Sequence, residues 1–257
     1  MKKSTTIISS KPPYDNELFN ITKKPRSYSD IININEIKNK IEATWKNTDT
    51  PEEFKGLLLQ IFRETLVDGS GIIKTRFLDK NNGAATVLEQ AFLMDNIIKL
   101  AHETIVESLY RAPNPTQGEQ LCIVAVGGYG RGELAPFSDI DLLFLLPYKI
   151  TPHIEQVVEA ILYLLWDMRL KVGHSTRSIE ECMRQAKLDM TIRTAILESR
   201  FICGEISLLS EMNRKFQKQI VAGTALEFVE AKLKESESRH QRLGDSRYVI
   251  EPNIKDG

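Results

Sequence analysis

Residues 121–146, LCIVAVGGYGRGELAPFSDIDLLFLL, constrain the fold more than any other stretch of this chain. Leu121–Val126 is an apolar run of strand composition that ends in Gly127-Gly128. A glycine-rich segment, 127–138, reads as a turn or a very short helix. A second strand then opens with Asp139-Ile140-Asp141 and continues through Leu142–Leu146. Strand side chains alternate with a period of two, so the two carboxylates point the same way. Like charges on one face of a half-buried strand are costly unless a cation lies between them. Two oxygen ligands beside a glycine turn able to hold phosphates imply a magnesium-dependent nucleotide site.

The rest of the chain sets the frame. Its 257 residues suffice for one large domain or two small ones with a real core. With 42% apolar and 27% charged residues it reads as an ordinary globular protein. Lys plus Arg number 34 against 35 Asp plus Glu, a balance that argues against a non-specific nucleic-acid binder. Cys122, Cys182 and Cys203 form no C-x-x-C pair and no zinc spacing, so they are expected to be buried, reduced thiols. Met1-Lys2-Lys3 is followed by no apolar leader, and no segment is long and apolar enough to span a bilayer. These features fit a reducing cytoplasm and no membrane association.

Residues 1–30, rich in Ser, Thr, Lys and Pro, are expected to form a poorly ordered tail. A helical segment, 31–112, should follow. Ile34, Ile37, Ile41 and Trp45 recur at helical spacing, and Asp49-Thr50-Pro51 caps a helix carrying Phe54, Leu57, Leu58, Ile61 and Phe62. After Asn81-Asn82-Gly83 a long helix from Ala84 to Tyr110 should bury a stripe that includes Leu88, Phe92 and Met94. Pro113-Asn114-Pro115 reads as a boundary loop. Within the core segment, 113–205, Thr151-Pro152 opens a helix to about Leu170 with Ile154 through Trp166 inward. Leu170–Arg177 is a third strand, and Ser178-Ile179-Glu180-Glu181 is a capping box. Further helices are expected over 188–200, 207–220 and 223–242, the last two in a C-terminal helical segment, 206–257. The order predicts an α+β architecture with a small mixed sheet.

Gly130-Arg131-Gly132-Glu133-Leu134-Ala135 matches the loose dinucleotide fingerprint, but Pro136 and the Asp139 strand leave no room for the helix that fingerprint requires. No Lys-Ser or Lys-Thr follows the glycines, so the Walker loop is also absent. What remains is a strand, Gly-Gly, a ten-residue spacer from Tyr129 to Ser138, and Asp-x-Asp on a strand. This pattern resembles the nucleotidyltransferase superfamily with the polymerase-beta-like fold. There the turn admits backbone amides to a triphosphate while the carboxylates reach the magnesium ions on it.

GGYGRGELAPFSDIDLLFL is similar, almost residue for residue, to the bacterial protein-PII uridylyltransferases. The likeness continues in Lys171–Arg177, in Thr191–Gly204 and in Arg247–Gly257. The resemblance implies transfer of UMP from UTP to a tyrosine hydroxyl of the PII nitrogen-signalling protein, with two Mg2+ ions. It makes Asp139 and Asp141 the catalytic metal ligands and Gly127 and Gly128 the phosphate-side turn. Arg131 becomes a phosphate contact and Ser138 a polar neighbour of the metals. Glu133 is read as a solvated charge and His174 as a structural or substrate-contacting residue.

The superfamily usually supplies a third carboxylate from a neighbouring strand, where this chain has Gly173-His174-Ser175. Asp167, Glu180 and Asp189 remain alternatives, as does none. Family members continue into a metal-dependent HD hydrolase domain and two ACT domains. No His-Asp doublet occurs here, so uridylyl-removing activity and direct glutamine sensing are expected to be missing from this chain. Adenylylation of glutamine synthetase, and a remnant that only binds PII or nucleotide, stand as the competing readings. RNA tailing is disfavoured by the balanced charge.

Overall fold

A computed structural model describes residues 28–112 and 116–242. Of the tail expected over 1–30, residues 1–27 lie outside the described residues, as do the Pro113–Pro115 loop and the Arg247–Gly257 motif. Tyr28–Asp30 form a 3-10 turn rather than part of an unstructured tail.

The N-terminal helices begin where capping chemistry directs. Helix α1 (Ile34–Lys46) is capped by Asn33, whose side chain accepts from the Glu36 amide. Helix α2 (Pro51–Lys80) has Thr50 as cap and proline at its first position, and stops at Asn81 in the left-handed region (φ 49°). It runs well past the apolar stripe of 54–62 that announces it. Helix α3 (Gly83–Thr104) starts on the Asn82 side chain and widens into a π turn over Ile105–Leu109. That π turn completes the long helix expected to end near Tyr110.

Strand β1 (Cys122–Ala125) leads into a single helical turn, α4 (Gly127–Gly130), and then β2 (Ile140–Leu146). Helix α5 (Pro152–Asp167), capped by Thr151, carries the chain to β3 (Val172–Ser178). Helices α6 (Ile179–Leu188) and α7 (Met190–Leu197) precede β4 (Arg200–Gly204). Helix α8 (Ile206–Phe216), a π turn over Gln217–Val221 and α9 (Ala225–Arg242) follow. The sheet order is β3-β2-β1-β4, with β2 and β3 parallel and β1 antiparallel to both its neighbours. The fold is α+β with one small mixed sheet, as the element order predicts.

Both faces of the sheet are covered. Ile140, Leu142, Phe144 and Leu146 of β2 enter a core shared with α1, α2, α3 and α5, whereas Leu143 and Leu145 enter a second core with α6 and α8. Each such side chain contributes about 1.5–3 kcal/mol when fully buried, which keeps β2 in the sheet interior. The helices of 31–112 therefore share one core with the sheet.

Three expectations need correction. The helix expected over 188–200 is interrupted at Asp189, ends at Leu197, and gives way to β4, an unforeseen edge strand. Its five residues form a strand because β1 offers an open edge about 80 positions away, with a bulge at Ile202. Trp45, Leu57, Leu88 and Trp166, placed on buried stripes, are 38%, 40%, 45% and 42% exposed because they sit at the margins of those stripes. Cys203 is half-buried, although Cys122 and Cys182 are buried as expected. Among the described residues no helix is long and apolar enough to cross a membrane.

Candidate active site

The alternation of β2 explains where the acids stand. Asp141 shares the face of Leu143 and Leu145, and it lies where the apolar cover of that face gives way to an open cleft. Asp139 lies two residues earlier, just ahead of β2, and is half-buried like Asp141, but it is not among the residues that line the cleft. In the parallel register Asp141 lies opposite Gly173 of β3, and a Cβ at Gly173 would overlap Asp141 Oδ1. On the other flank, Asp141 Oδ2 is 3.4 Å from where a Cβ on Gly127 would stand. Gly127 itself has φ +60°, a left-handed conformation that glycine adopts without steric cost. The Val126 amide donates to the Asp141 carbonyl (3.1 Å), tying the start of the turn to the acid-bearing strand. One carboxylate is thus framed by two residues that lack side chains.

The glycine turn is moored from below. Tyr129 is only 2% exposed, and its hydroxyl donates to Asp95 Oδ1 of α3 (2.6 Å). Arg200 of β4 donates to both Asp95 oxygens (2.5 and 3.1 Å) and to the Tyr129 carbonyl (3.1 Å). Its guanidinium also lies 5.3 Å from the Tyr129 ring centroid. Burial, chiefly, pushes the Tyr129 phenol well above its ordinary pKa, so it serves as a fixed donor. The sequence reading missed all three residues. Asp95 and Arg200 lie 105 positions apart, and no local pattern joins them.

Above the turn, Arg131 pairs with Glu133 (3.1 Å) and with Glu198 at the end of α7 (2.8 Å). Glu133 is therefore an ion-pair partner as well as an exposed charge. Ser138 is exposed, and its amide donates to the Ala135 carbonyl (3.1 Å). Between Pro136 and Ser138 stands Phe137, 98% exposed at φ 67°.

The cleft measures about 410 Å3, and its lining includes Gly127, Asp141, Gly173, Arg177, Glu198 and Lys232. That volume is of the size that holds small-molecule ligands. His174 also lines it, with its ring 5.7 Å from that of Trp166. A larger hollow of about 990 Å3 lies among Lys38, Trp45, His102 and His153, away from both acids.

None of the three alternatives for a third carboxylate lines the cleft. Asp167 borders a different groove, beside Lys55 and Tyr163. Glu180 pairs with Lys215 (2.6 Å), which holds its carboxyl below the usual range. Asp189 caps α7, accepting from the amides of Thr191 (2.7 Å) and Ile192 (3.2 Å), and these bonds lower its pKa. Among the described residues no group of three or more His, Cys, Asp or Glu side chains is arranged to hold a metal. Magnesium does not require one. It takes one or two carboxylates and completes its shell with phosphate oxygens and water. The hard oxygen donors of Asp141, with space kept open by Gly127 and Gly173, fit that demand, and Asp139 is the nearest further carboxylate in the sequence.

The α+β fold carries a nucleotidyltransferase domain, since residues 116–202 match the family described by that name. Residues 227–257 match the GlnD PII-uridylyltransferase family. The chain is 51% identical over 236 residues to the bifunctional uridylyltransferase/uridylyl-removing enzyme of Rhodospirillum rubrum, a match that covers 91% of this chain and 25% of that protein. With the enzyme of the same name from Azospirillum brasilense it shares 49% identity over 227 residues, 88% of this chain and 24% of the relative. For that of Rhodopseudomonas palustris the figures are 49% over 212 residues, 82% and 23%. The chain thus corresponds to about a quarter of the length of these curated relatives, a portion that includes the nucleotidyltransferase domain.

Proposed function

We propose that this chain transfers UMP from UTP to a tyrosine hydroxyl of a PII signalling protein and releases diphosphate. The observation that carries the reading is the Asp141 carboxylate, framed by Gly127 and Gly173 on the cleft wall. Asp139 and Asp141 would hold two magnesium ions. When bound, the ions neutralise charge on the phosphates and lower the pKa of the attacking hydroxyl. The hydroxyl oxygen forms a bond to the α-phosphorus, the bond to diphosphate breaks, and the tyrosine proton is released.

The protein's part is positioning. Gly127 and Gly128 let the backbone approach the phosphates, and the Tyr129–Asp95–Arg200 mooring keeps that turn still. Arg131, held by Glu133 and Glu198 beside Gly128, would pair with phosphate oxygens, and Ser138, next in sequence to Asp139, would be a polar neighbour of the metals. The names of the relatives support uridylyl over adenylyl transfer.

The test incubates the chain and Mg2+ with labelled UTP or ATP and purified PII or glutamine synthetase. Label should pass from UTP to PII, and Asp139→Asn or Asp141→Asn should abolish the transfer while leaving the melting temperature nearly unchanged. Label on glutamine synthetase from ATP would give the adenylyl reading. Binding without turnover would make the chain a remnant, and transfer that survives both substitutions would refute the metal-site assignment.

A further inference from the structure

The cleft wall built from β2, β3 and α7 lies within residues 116–202, but one lining side chain, Lys232, comes from α9, in the separately matched segment 227–257. We infer that Lys232 is a nucleotide-binding residue that pairs with the polyphosphate of the nucleoside triphosphate, so that α9 supplies a wall of the site. This rests on the reading of the cleft as a nucleotidyl-transfer site.

Charge gives the first argument. Among the described residues lining the cleft, the carboxylates are Asp141 and Glu198, and the Lys and Arg side chains are Arg177 and Lys232. A triphosphate brings several negative charges and needs more than one cation to meet them. Glu198 is already engaged by Arg131, so it does not claim Lys232. The Lys232 ammonium lies 2.7 Å from Glu235, three residues further along the same helix. Partly exposed pairs of this kind are weak, and a phosphate in a confined site is a stronger partner. Lysine suits such an exchange, because its charge rides on a long, flexible stem.

Helix geometry gives the second. Arg193 of α7, only 8% exposed, donates to the Ile220 carbonyl (2.8 Å) and to the Thr224 hydroxyl. Its guanidinium also lies 5.2 Å from the Phe228 ring centroid. Phe228 and Lys232 are four residues apart and share one face of α9. The contact of Arg193 with Phe228 therefore sets the rotation that brings Lys232 to the cleft. The same α7 forms part of the cleft wall, so both sides of this corner are referred to one helix.

Binding of UTP, inorganic tripolyphosphate and uridine to the whole chain, measured with Mg2+ by competition against a fluorescent UTP analogue, tests the inference. Lys232→Ala should weaken UTP and tripolyphosphate by roughly tenfold or more, the loss of a charge-assisted bond, and leave uridine unchanged. Lys232→Arg should restore most of the UTP affinity, and Glu235→Gln should strengthen it. Unchanged UTP affinity in Lys232→Ala would overturn the inference, as would an equal loss for uridine, which would indicate a merely structural role. A wild-type chain that binds none of the three probes would instead overturn the transferase reading beneath it.

Discussion

The Asp141 carboxylate stands where it does because Gly173 carries no side chain. A methyl group at Gly173 would occupy the place of Asp141 Oδ1, so Gly173→Ala must displace the carboxylate. The backbone at Gly173 is ordinary extended strand that alanine adopts readily, so the damage should fall on function. We expect transfer to PII to drop by about 10²-fold, the effect of a misplacement near 1 Å, with a melting temperature close to wild type. A Gly173→Ala chain with full activity would show that the carboxylate tolerates the shift. At this scale the nearness of Gly127 to Asp141 in the cleft was legible in sequence, because they fall within fifteen residues of one another. Glu198 and Lys232 were not. They reach the same cleft from helices whose relative placement leaves no trace in local spacing.

Between elements, the Asp95–Arg200–Tyr129 cluster joins α3, β4 and the glycine turn. Arg200 Nε is buried without a hydrogen-bond partner, so the guanidinium depends all the more on Asp95. Asp95→Ala would leave a largely buried cation and a phenol hydroxyl unpaired. It should destabilise the fold by about 3 kcal/mol in urea unfolding, the low end for breaking a buried pair. A double-mutant cycle with Arg200→Met should recover part of that loss, and additive losses would show that the two residues act independently. The starts of several helices were legible, because Thr50, Thr151 and Ser178 announce themselves through local capping chemistry. Strand β4 was not, since five residues that continue a helical pattern become a strand only when β1 presents an edge.

Across the whole molecule, two apolar cores clamp the sheet, and the cysteines sit in or against them. Cys122 and Cys182 belong to the core under α6 and α8, while Cys203 packs against the other. Burial pushes all three thiols up to about 12 from an ordinary value of 9.0. Above pH 9 the unfolded chain loses these protons while the folded chain keeps them. The contribution to stability is therefore fully present below about pH 9 and lost as pH rises toward about 12. The urea midpoint should fall between pH 8 and pH 10, and Cys182→Ser should reduce that fall. A midpoint that held steady or rose would contradict the assigned burial.

By itself the sequence determined the strand–glycine turn–strand motif, the place of Asp141 on the second strand, and the α+β class. All three follow from backbone periodicity and from conformational rules that act over a few residues. Only the tertiary structure decided that Gly173 faces Asp141, that Arg200 moors the turn, and that Lys232 borders the cleft. These depend on strand register and helix packing, which bring together residues that no local pattern connects.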